Sequence, residues 1–334
     1  MANYTLDPDM PKILRNALIA SDNEYQNELK EYLNGQDKGI KFKISATAIS
    51  KPTQSIVLFS RHNKDLWIDP EKCWHALKGN VIHYILEKEA AKLPEYISEQ
   101  RMGVDIEIDG DLVHVHGKMD VYNKETEYIE DWKNTSASSM GYDKEDHRMQ
   151  LNILYYILRK NGYTVNGLRD IYLFDRLDPT KTNMPGYPKR HYQVVEVEKM
   201  PLAEIKAHII ARVRKLRAEH LKPDKKLTLC TDEERWIRGS LFKLYTRKKG
   251  GRKGELQPFS SMAACSSDDM ADLEDFIKKK ELTAVDDGEH ESNYYIKEIK
   301  GIPKACDYCA VNTVCRQRLK EVLERDKEYA EKNK

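Results

Sequence analysis

Short segments in which apolar and polar side chains alternate recur through the middle of the chain, as they do in half-buried β-strands. Residues 104–108 and 112–116 alternate in this way, and Asp109-Gly110 between them is a strong signal for a tight hairpin turn. The pattern predicts further strands at residues 118–122, 128–133, 168–173 and 192–197. We therefore expect a sheet that includes an antiparallel meander.

Helical periodicity, with apolar residues three and four apart, covers much of the remaining chain. It predicts helices over about residues 73–92, 144–160 and 201–220, and a looser helical stripe within residues 1–40. The buried faces expected for the three longer helices are Ile82, Ile85 and Leu86, then Met149, Ile153, Leu154 and Ile157, then Ile205, Ile209, Val213 and Leu216. Residues 44–52 place serine and threonine before a helical turn, which suits an N-cap.

The composition is that of a globular protein with a very polar surface, since 40% of the 334 residues are hydrophobic and 33% are charged. This length allows one large domain or two smaller ones. No apolar run approaches membrane-spanning length, and the N-terminus lacks the pattern of a signal peptide. We therefore expect no membrane partner and a cytosolic location, or a host's cytosol if the gene is viral. The net charge of +1 supplies no overall field toward nucleic acid, so such binding would depend on local patches and a metal site.

Two carboxylates and a lysine are expected to meet in the hairpin of residues 118–133. Asp131 and Lys133 lie two apart in a strand, so their side chains project to the same side. The polar turn at residues 123–126 allows the preceding strand to fold back, so that Asp120 can lie close to Asp131 and Lys133. Two carboxylates can hold Mg²⁺ or Mn²⁺, which prefer oxygen ligands, and a lysine can orient water or offset charge on a phosphate.

The alternation of side chains in a strand also distinguishes Asp131 from its neighbours Glu130 and Trp132. Adjacent residues of a strand face opposite sides, so Glu130 and the Trp132 side chain point away from Lys133. The backbone carbonyl of Trp132 nevertheless remains close enough to bind a metal. Spacing therefore selects Asp131, with the Trp132 carbonyl as an additional ligand.

A histidine on the helix before this hairpin is a candidate metal ligand. Gly79, His83 and Glu87 lie four apart and share one line on the helix surface, away from the apolar stripe. Neutral imidazole can bind a divalent cation, and a glycine one turn earlier permits a close approach. Taken alone, His83 would be an ordinary helix residue, but the carboxylates downstream favour a ligand role.

The cysteines suggest a second metal site. Six cysteines without a secretory signal argue for metal ligands or reduced thiols over disulfides. Cys306, Cys309 and Cys315 supply three closely spaced thiols, although three free cysteines remain the alternative. The candidates for a fourth thiolate are Cys230, Cys73 and Cys265. Four thiolates can bind zinc or hold a 4Fe-4S cluster, and the spacing alone does not separate these.

Together these features resemble one family. Asp120 followed by Asp131-x-Lys133 resembles the core signature of the PD-(D/E)XK nuclease superfamily, and the helix of His83 resembles the histidine-bearing helix of its RecB-like branch. Residues 147–152 resemble the glutamine-bearing helix of that branch. The cysteines resemble a cluster carried by a subset of these nucleases, including phage-type members.

The resemblance implies an α/β fold with a restriction-endonuclease-like core, in which helices flank a mixed central sheet, and a C-terminal cysteine-cluster arm. The expected divisions are an N-terminal helical arm at residues 1–42, a nuclease core at 43–222, a cysteine-cluster region at 223–318 and a charged helical tail at 319–334.

The resemblance also implies a Mg²⁺- or Mn²⁺-dependent DNA nuclease. An exonuclease acting on single-stranded DNA or free ends, in recombination, replication or end processing, is its commonest setting, with a helicase or recombinase as a possible partner. The alternative is a nuclease-fold protein that binds DNA or another partner without cleavage.

The resemblance assigns roles to particular residues. The metal ligands would be His83, Asp120, Asp131 and the Trp132 carbonyl, with Lys133 positioning water and Gln150 supporting the site. The resemblance favours Cys230 as the fourth cluster ligand, with Cys73 as the alternative, and iron–sulfur over zinc. The family's tyrosine four residues after the glutamine is replaced here by Leu154, which leaves no assignment for a catalytic tyrosine.

Overall fold

The structure is a computed structural model that describes residues 3–5, 10–31, 42–141, 145–237, 241–247, 256–258, 266–267, 270–281, 294–299 and 301–323. The chain divides into two compact units, one of Met1–Leu229 with Cys309–Lys334 and one of Cys230–Tyr308. The division expected from the sequence, at residues 42, 222 and 318, stays a prediction.

Among its described residues, the first unit contains ten strands, six α-helices within Met1–Leu229 and a further helical segment at residues 316–323. The strands are β1 (Asn3–Tyr4), β2 (Phe42–Ser45), β3 (Trp67–Ile68), β4 (Tyr96–Ser98), β5 (Arg101–Ile108), β6 (Asp111–Lys118), β7 (Val121–Asn123), β8 (Tyr128–Thr135), β9 (Gly167–Phe174) and β10 (Tyr192–Val197). The helices are α1 (Lys12–Glu31), α2 (Ala46–Ser50), α3 (Thr53–His62), α4 (Trp74–Ala90), α5 (Glu145–Lys160) and α6 (Leu202–His220).

Two sheets form the centre of this unit, and both are mixed. The five-stranded sheet has the order β10-β9-β8-β7-β4, with β8 and β9 parallel and the other neighbours antiparallel. The three-stranded sheet has the order β2-β6-β5, with β2 parallel to β6 and β5 antiparallel to it. Helix α5 contacts strands of both sheets, and α4 contacts β8. The expected α/β fold with a mixed sheet flanked by helices is confirmed.

The chain passes from one sheet to the other at Met119 and Asp120. Pairing of β6 with β5 continues to Lys118, whereas β7 pairs with β8 from Val121 onward. The strand predicted for residues 118–122 is therefore wrong, because Lys118 ends β6 and Asp120 lies in a bend before β7. The alternation of side chains alone does not reveal where a strand leaves one sheet for the next.

The β5–β6 hairpin is confirmed, and its turn explains the Asp109-Gly110 pair. The φ angles of Asp109 and Gly110 are +55° and +81°. Two positive φ angles match the right-handed twist of the strands that the turn joins, and glycine adopts them without a steric cost.

The buried faces of the long helices agree with the predicted periodicity in α5 and α6 but not fully in α4. Ile205, Ile209, Val213 and Leu216 of α6 are all 0% exposed, and Met149, Ile153, Leu154 and Ile157 of α5 are buried. In α4, however, Ile85 is 55% exposed, so its predicted burial is wrong. Leu86 packs with Val121 and Trp132, which shows that α4 turns another side toward the sheet.

Helix α2 is held by two polar contacts. Ser45 forms the predicted N-cap, since its hydroxyl accepts a hydrogen bond of 3.0 Å from the amide of Ala48. At the other end, the Arg212 guanidinium of α6 donates to the carbonyls of Ile49 and Lys51. These bonds satisfy carbonyls that a helix end leaves without partners. They fix α2 beside α5, where its Thr47 reaches the site described below.

The second unit is built on β11 (Leu241–Arg247). Its other elements are β12 (Leu256–Pro258), β13 (Ser266–Ser267), α7 (Met270–Glu281), β14 (Tyr294–Ile299) and α8 (Lys304–Asp307). Strand β11 pairs antiparallel with β12, β13 and β14. Leu273 of α7 is buried against Phe242 and Ile296. Within the described residues of the whole chain, none of the helices combines the length and apolar character needed to cross a membrane.

A buried carboxylate closes the end of α6. Glu219 accepts hydrogen bonds from the Thr228 amide and hydroxyl at 2.9 and 2.6 Å and from Lys222 Nζ at 2.6 Å. Burial acts to raise its pKa, but the hydrogen bonds from Lys222 and Thr228 outweigh burial and lower the pKa to about 2. The folded structure therefore stabilises the ionised form of the Glu219 carboxylate.

We predict that Glu219→Gln lowers the free energy of unfolding by about 2 to 3 kcal/mol at pH 7. Because the folded pKa lies below the unfolded one, this stabilisation exists above the ordinary glutamate pKa of 4.5 and is lost as pH falls toward 2. Urea unfolding of both proteins between pH 7 and pH 2 measures the difference. Exposed Glu107 of β5 supplies the control, and Glu107→Gln should change stability by less than about 0.5 kcal/mol. A Glu219→Gln deficit that stays constant with pH would contradict the assignment.

Candidate active site

Strand β8 places the two charged groups that its sequence spacing predicts on one side. The Asp131 carboxylate, in a residue only 4% exposed, lies 2.5 Å from Lys133 Nζ. Glu130 faces the other side of the sheet and pairs with Arg169 of β9. The structure therefore pairs Lys133 with Asp131 and not with Glu130.

Asp120 joins these residues from the bend between the two sheets. Its Oδ2 accepts a hydrogen bond of 2.8 Å from the backbone amide of Trp132, the residue between Asp131 and Lys133. The residue is 8% exposed. Asp120, Asp131 and Lys133 are thus brought together, as expected for the hairpin, although Asp120 is held by a bend and not by a strand.

His83 of α4 lies against the same group. Its Nε2 donates to the Trp132 carbonyl at 3.0 Å, and its Nδ1 lies 3.6 Å from Asp120 Oδ1. His83 therefore contacts two of the other three predicted metal-binding groups, the Trp132 carbonyl and the Asp120 carboxylate. The fourth, Asp131, is the next residue along β8 from Trp132.

Glu99 is a further carboxylate here, and the sequence analysis missed it. One ligand atom each from His83, Glu99 and Asp120 lies within 4.8 Å of the others. Glu99 Oε2 pairs with Lys118, whereas Oε1 is buried without a hydrogen-bond partner. The residue follows β4 with a left-handed φ of +55°, and its amide donates to the Asp120 carbonyl at 3.0 Å. No sequence spacing signals it, because the loop meets the site only through tertiary folding.

The two hairpin carboxylates have opposite pKa shifts. Burial raises the pKa of Asp131, and the nearby Asp120 and Asp170 add to this, although Lys133 opposes it. Burial acts the same way on Asp120, but His83, Lys133 and the Trp132 amide outweigh it and lower the Asp120 pKa. Asp120 is therefore held as the anion, and Asp131 is the carboxylate whose charge most needs a further positive partner.

The cations of the site are stabilised by the same carboxylates. Burial would lower the pKa of Lys133, but Asp131 and Asp120 outweigh it and raise that pKa. Burial would likewise lower the pKa of His83, but its contact with Asp120 raises it. Lys133 thus remains an ammonium ion at neutral pH.

Gln150 of α5 contacts the site as its inward position suggested. Its Oε1 accepts from Lys133 Nζ at 3.3 Å, and its Nε2 donates to Thr47 of α2 at 3.4 Å. Leu154, four residues after Gln150, is 1% exposed. A Cβ at Gly117 of β6 would lie 2.4 Å from a Leu154 methyl, so Leu154 fills core space against that glycine.

The donor set fits a hard divalent cation. His83 offers a nitrogen, and Glu99 and Asp120 offer carboxylate oxygens, within 4.8 Å of one another, a donor set that suits Mg²⁺ or Mn²⁺. The other two predicted ligands are the Trp132 carbonyl, which His83 contacts, and Asp131, the residue before it in β8. The buried Glu99 Oε1 has no hydrogen-bond partner, which a bound cation would provide. These residues could therefore hold a divalent cation at this position.

The cysteine site is not confirmed by the structure. Of its four predicted ligands, Cys230 and Cys306 belong to the second unit, and Cys309 and Cys315 to the first. None of the described cysteines is in a disulfide. Burial, together with Asp22 and Asp69, raises the pKa of the alternative ligand Cys73 to about 12, which disfavours its thiolate. The remaining candidate, residue 265, lies outside the described residues.

Comparison with known proteins finds one family. The profile of the PD-(D/E)XK nuclease superfamily matches residues 69–316, a range that includes every predicted site residue. No curated protein matches the sequence.

Three solved structures are similar to this chain in part. A crystal structure described as SSO0001 is 15% identical, with a TM-score of 0.45, covering 64% of this chain and 89% of that one. LHK-Exo in complex with dAMP is 13% identical, with a TM-score of 0.36 and coverages of 60% and 94%. A phage related exonuclease from Haemophilus somnus 129PT is 13% identical, with a TM-score of 0.25 and coverages of 45% and 71%.

We predict that Glu99→Gln weakens Mn²⁺ binding about ten- to a hundredfold, because it removes one charged oxygen ligand. Calorimetric titration with Mn²⁺ measures this in the absence of any substrate. Glu107→Gln removes a carboxylate outside the site and should leave the affinity unchanged. Equal affinities for Glu99→Gln and the wild type would show that Glu99 serves only as the partner of Lys118.

Proposed function

Since this chain belongs to the PD-(D/E)XK nuclease superfamily, we propose that it is a divalent-metal-dependent nuclease that hydrolyses phosphodiester bonds in DNA. The observation that carries the proposal is the Lys133 ammonium held between Asp131 and Gln150, beside Asp120 and His83. A protein that only bound DNA would not need a partly buried lysine paired with a buried carboxylate.

The chain's own residues have distinct tasks in this reaction. Asp120, fixed by the Trp132 amide, would bind a cation together with His83 and Glu99, and Asp131 would add a further carboxylate from β8. Such a cation, when bound, supplies Lewis-acid polarisation of the phosphate and makes water there more acidic.

Lys133 acts on the phosphate itself. Asp131 and Gln150 hold its ammonium group in place, so it can donate to the attacking water or to a phosphate oxygen as negative charge develops. Gln150 is in turn held by Thr47, and this chain of contacts limits the freedom of the lysine. A preorganised donor of this kind stabilises the transition state more than the substrate.

The mode of cleavage, the cellular process, the location and the partner that we propose derive from the sequence resemblance. We propose exonuclease action on free ends or single strands, in recombination, replication or DNA-end processing in the cytoplasm, with phage-type nucleases as the related group. A helicase or recombinase would be the expected partner of such an enzyme.

We predict that wild-type protein degrades end-labelled DNA in Mg²⁺ or Mn²⁺ but not in EDTA, and that Lys133→Ala lowers the rate at least about 100-fold. Lys124→Ala, in the exposed turn after β7, should cleave at the wild-type rate. Intact circular DNA in the same reaction would identify an exonuclease, whereas cut circles would identify an endonuclease. Metal-dependent binding without cleavage would support the alternative of a nuclease-fold binding protein.

We also propose that Cys230, Cys306, Cys309 and Cys315 hold a 4Fe-4S cluster, with zinc as the alternative. The support is the close spacing of the three thiols of Cys306, Cys309 and Cys315 in the sequence. We predict that Cys306→Ser lowers metal content and the melting temperature together, because such a site couples metal binding to folding. Iron, sulfide and zinc analysis beside thermal melting measures both, and full metal content in the variant would refute the site. Cys73→Ala should retain the wild-type metal content.

A further inference from the structure

Helix α4 exposes apolar side chains along one side. Trp74, Val81, Tyr84 and Ile85 are 48, 49, 60 and 55% exposed, and Leu77 among them is half-buried. Because these positions recur at intervals of three and four residues, they form one continuous stripe on the helix surface. We call these five residues the outer stripe of α4.

The opposite side of α4 is apolar as well and faces the sheet. Leu86 of this inner side packs with Val121 and Trp132, and His83 contacts the Trp132 carbonyl from it. Trp74 precedes His83 by nine residues, or about two and a half turns, so the outer stripe faces away from the candidate metal site. A helix that is apolar on all sides is normally covered on all sides, so the outer stripe calls for a partner.

The exposed area of the outer stripe matches what a small specific protein interface needs. An exposed aromatic side chain offers about 150–250 Å² and an aliphatic one less, so the stripe presents roughly 350 Å² of apolar surface. A specific interface at the lower end of the size range buries about 600 Å² per partner, of which a little more than half is apolar. The stripe alone supplies about this apolar part.

The charges beside the outer stripe favour a protein partner over nucleic acid. Lys78 forms an ion pair with Asp175, and Lys88 Nζ lies over the Tyr84 ring, 5.3 Å from its centroid. These contacts leave little excess positive charge for a phosphate backbone, whose binding depends on such charge. They instead resemble the polar rim that surrounds the apolar centre of a protein interface.

The order of the side chains in the outer stripe suits a second copy of the same helix. Trp74 and Tyr84 are each five residues from Gly79, and Leu77 and Val81 are each two residues from it. Two copies of α4 that run antiparallel about a twofold axis at this level therefore oppose Trp74 of each copy to Tyr84 of the other, and Leu77 to Val81. Every one of these side chains then meets an apolar partner, and each contact occurs twice.

We propose that the outer stripe of α4 is the interface of a homodimer, in which two copies of this chain pack α4 against α4 in the antiparallel arrangement. Burial in the dimer accounts for the apolar side chains, Ile85 included, that the single chain leaves exposed. The interface lies on the side of α4 away from His83, so the candidate metal sites of both copies stay open. The proposal does not depend on the proposed nuclease function, because association is measured without cleavage.

Sedimentation equilibrium of the full chain at about 1 to 100 μM tests the proposal, and we expect the wild type to form dimers in this range. Ile85→Glu introduces a charge at two symmetric places in the interface, so it should weaken dimerisation at least about 100-fold. Ile13→Glu is the matched control, because Ile13 is 85% exposed in the first turn of α1 and lies outside the outer stripe. This control should dimerise as the wild type does.

A charge exchange tests the antiparallel pairing itself. Trp74→Lys and Tyr84→Glu should each weaken the dimer, whereas the double variant Trp74→Lys/Tyr84→Glu should associate at least about tenfold more tightly than either single variant. The reason is that the introduced lysine of each copy then opposes the introduced glutamate of the other. Melting curves show whether each variant is folded, and Tyr84→Glu decides the matter if Ile85→Glu does not fold.

Three results would overturn the proposal. The first is a wild type that stays monomeric at every concentration. The second is a dimer that Ile85→Glu and Tyr84→Glu leave intact, since its interface would then lie elsewhere on the chain. The third is a double variant that associates no better than the single variants, because α4 would then not meet its copy in the antiparallel arrangement.

Discussion

The hydrogen bond from the Trp132 amide to the Asp120 carboxylate is the contact on which the site depends. The ladder between β7 and β8 ends at Val121 and Glu130, so Trp132 lies just beyond it. Its N–H would be left without a strand partner on that side, and Asp120 accepts it from the bend between the two sheets. One interaction thus satisfies a buried backbone group beyond the end of the β7–β8 ladder and places a carboxylate against His83.

The site concentrates more negative charge than its own cations neutralise. Asp120, Asp131 and Asp170 are all buried, and Lys133 and a protonated His83 can together compensate only two of them. Burying unpaired charge is costly, and the raised pKa values of Asp131 and Asp170 reflect that cost. A divalent cation would remove much of it, so the fold maintains a strained electrostatic arrangement that a bound metal would relieve. Strain of this kind concentrates at functional sites.

Several elements around the site could be predicted from local patterns. The hairpin at Asp109-Gly110 and the buried faces of α5 and α6 agree with their sequence signals, because turn residues and helical periodicity act within one element. Predictions that depended on how neighbouring elements pack agreed less well with the structure. Ile85 was expected on the buried face of α4. The helix instead packs against β8 through the face that carries His83 and Leu86.

Within the site, the sequence by itself determined which residues share a face. The two-residue spacing of Asp131 and Lys133 and the inward position of Gln150 follow from strand and helix periods, and the structure shows both. Only tertiary structure decided that Glu99 and Asp170 lie beside them. Their elements meet through strand order and helix packing across long sequence separations. No local period encodes such a meeting, because it depends on which surfaces the whole chain buries together.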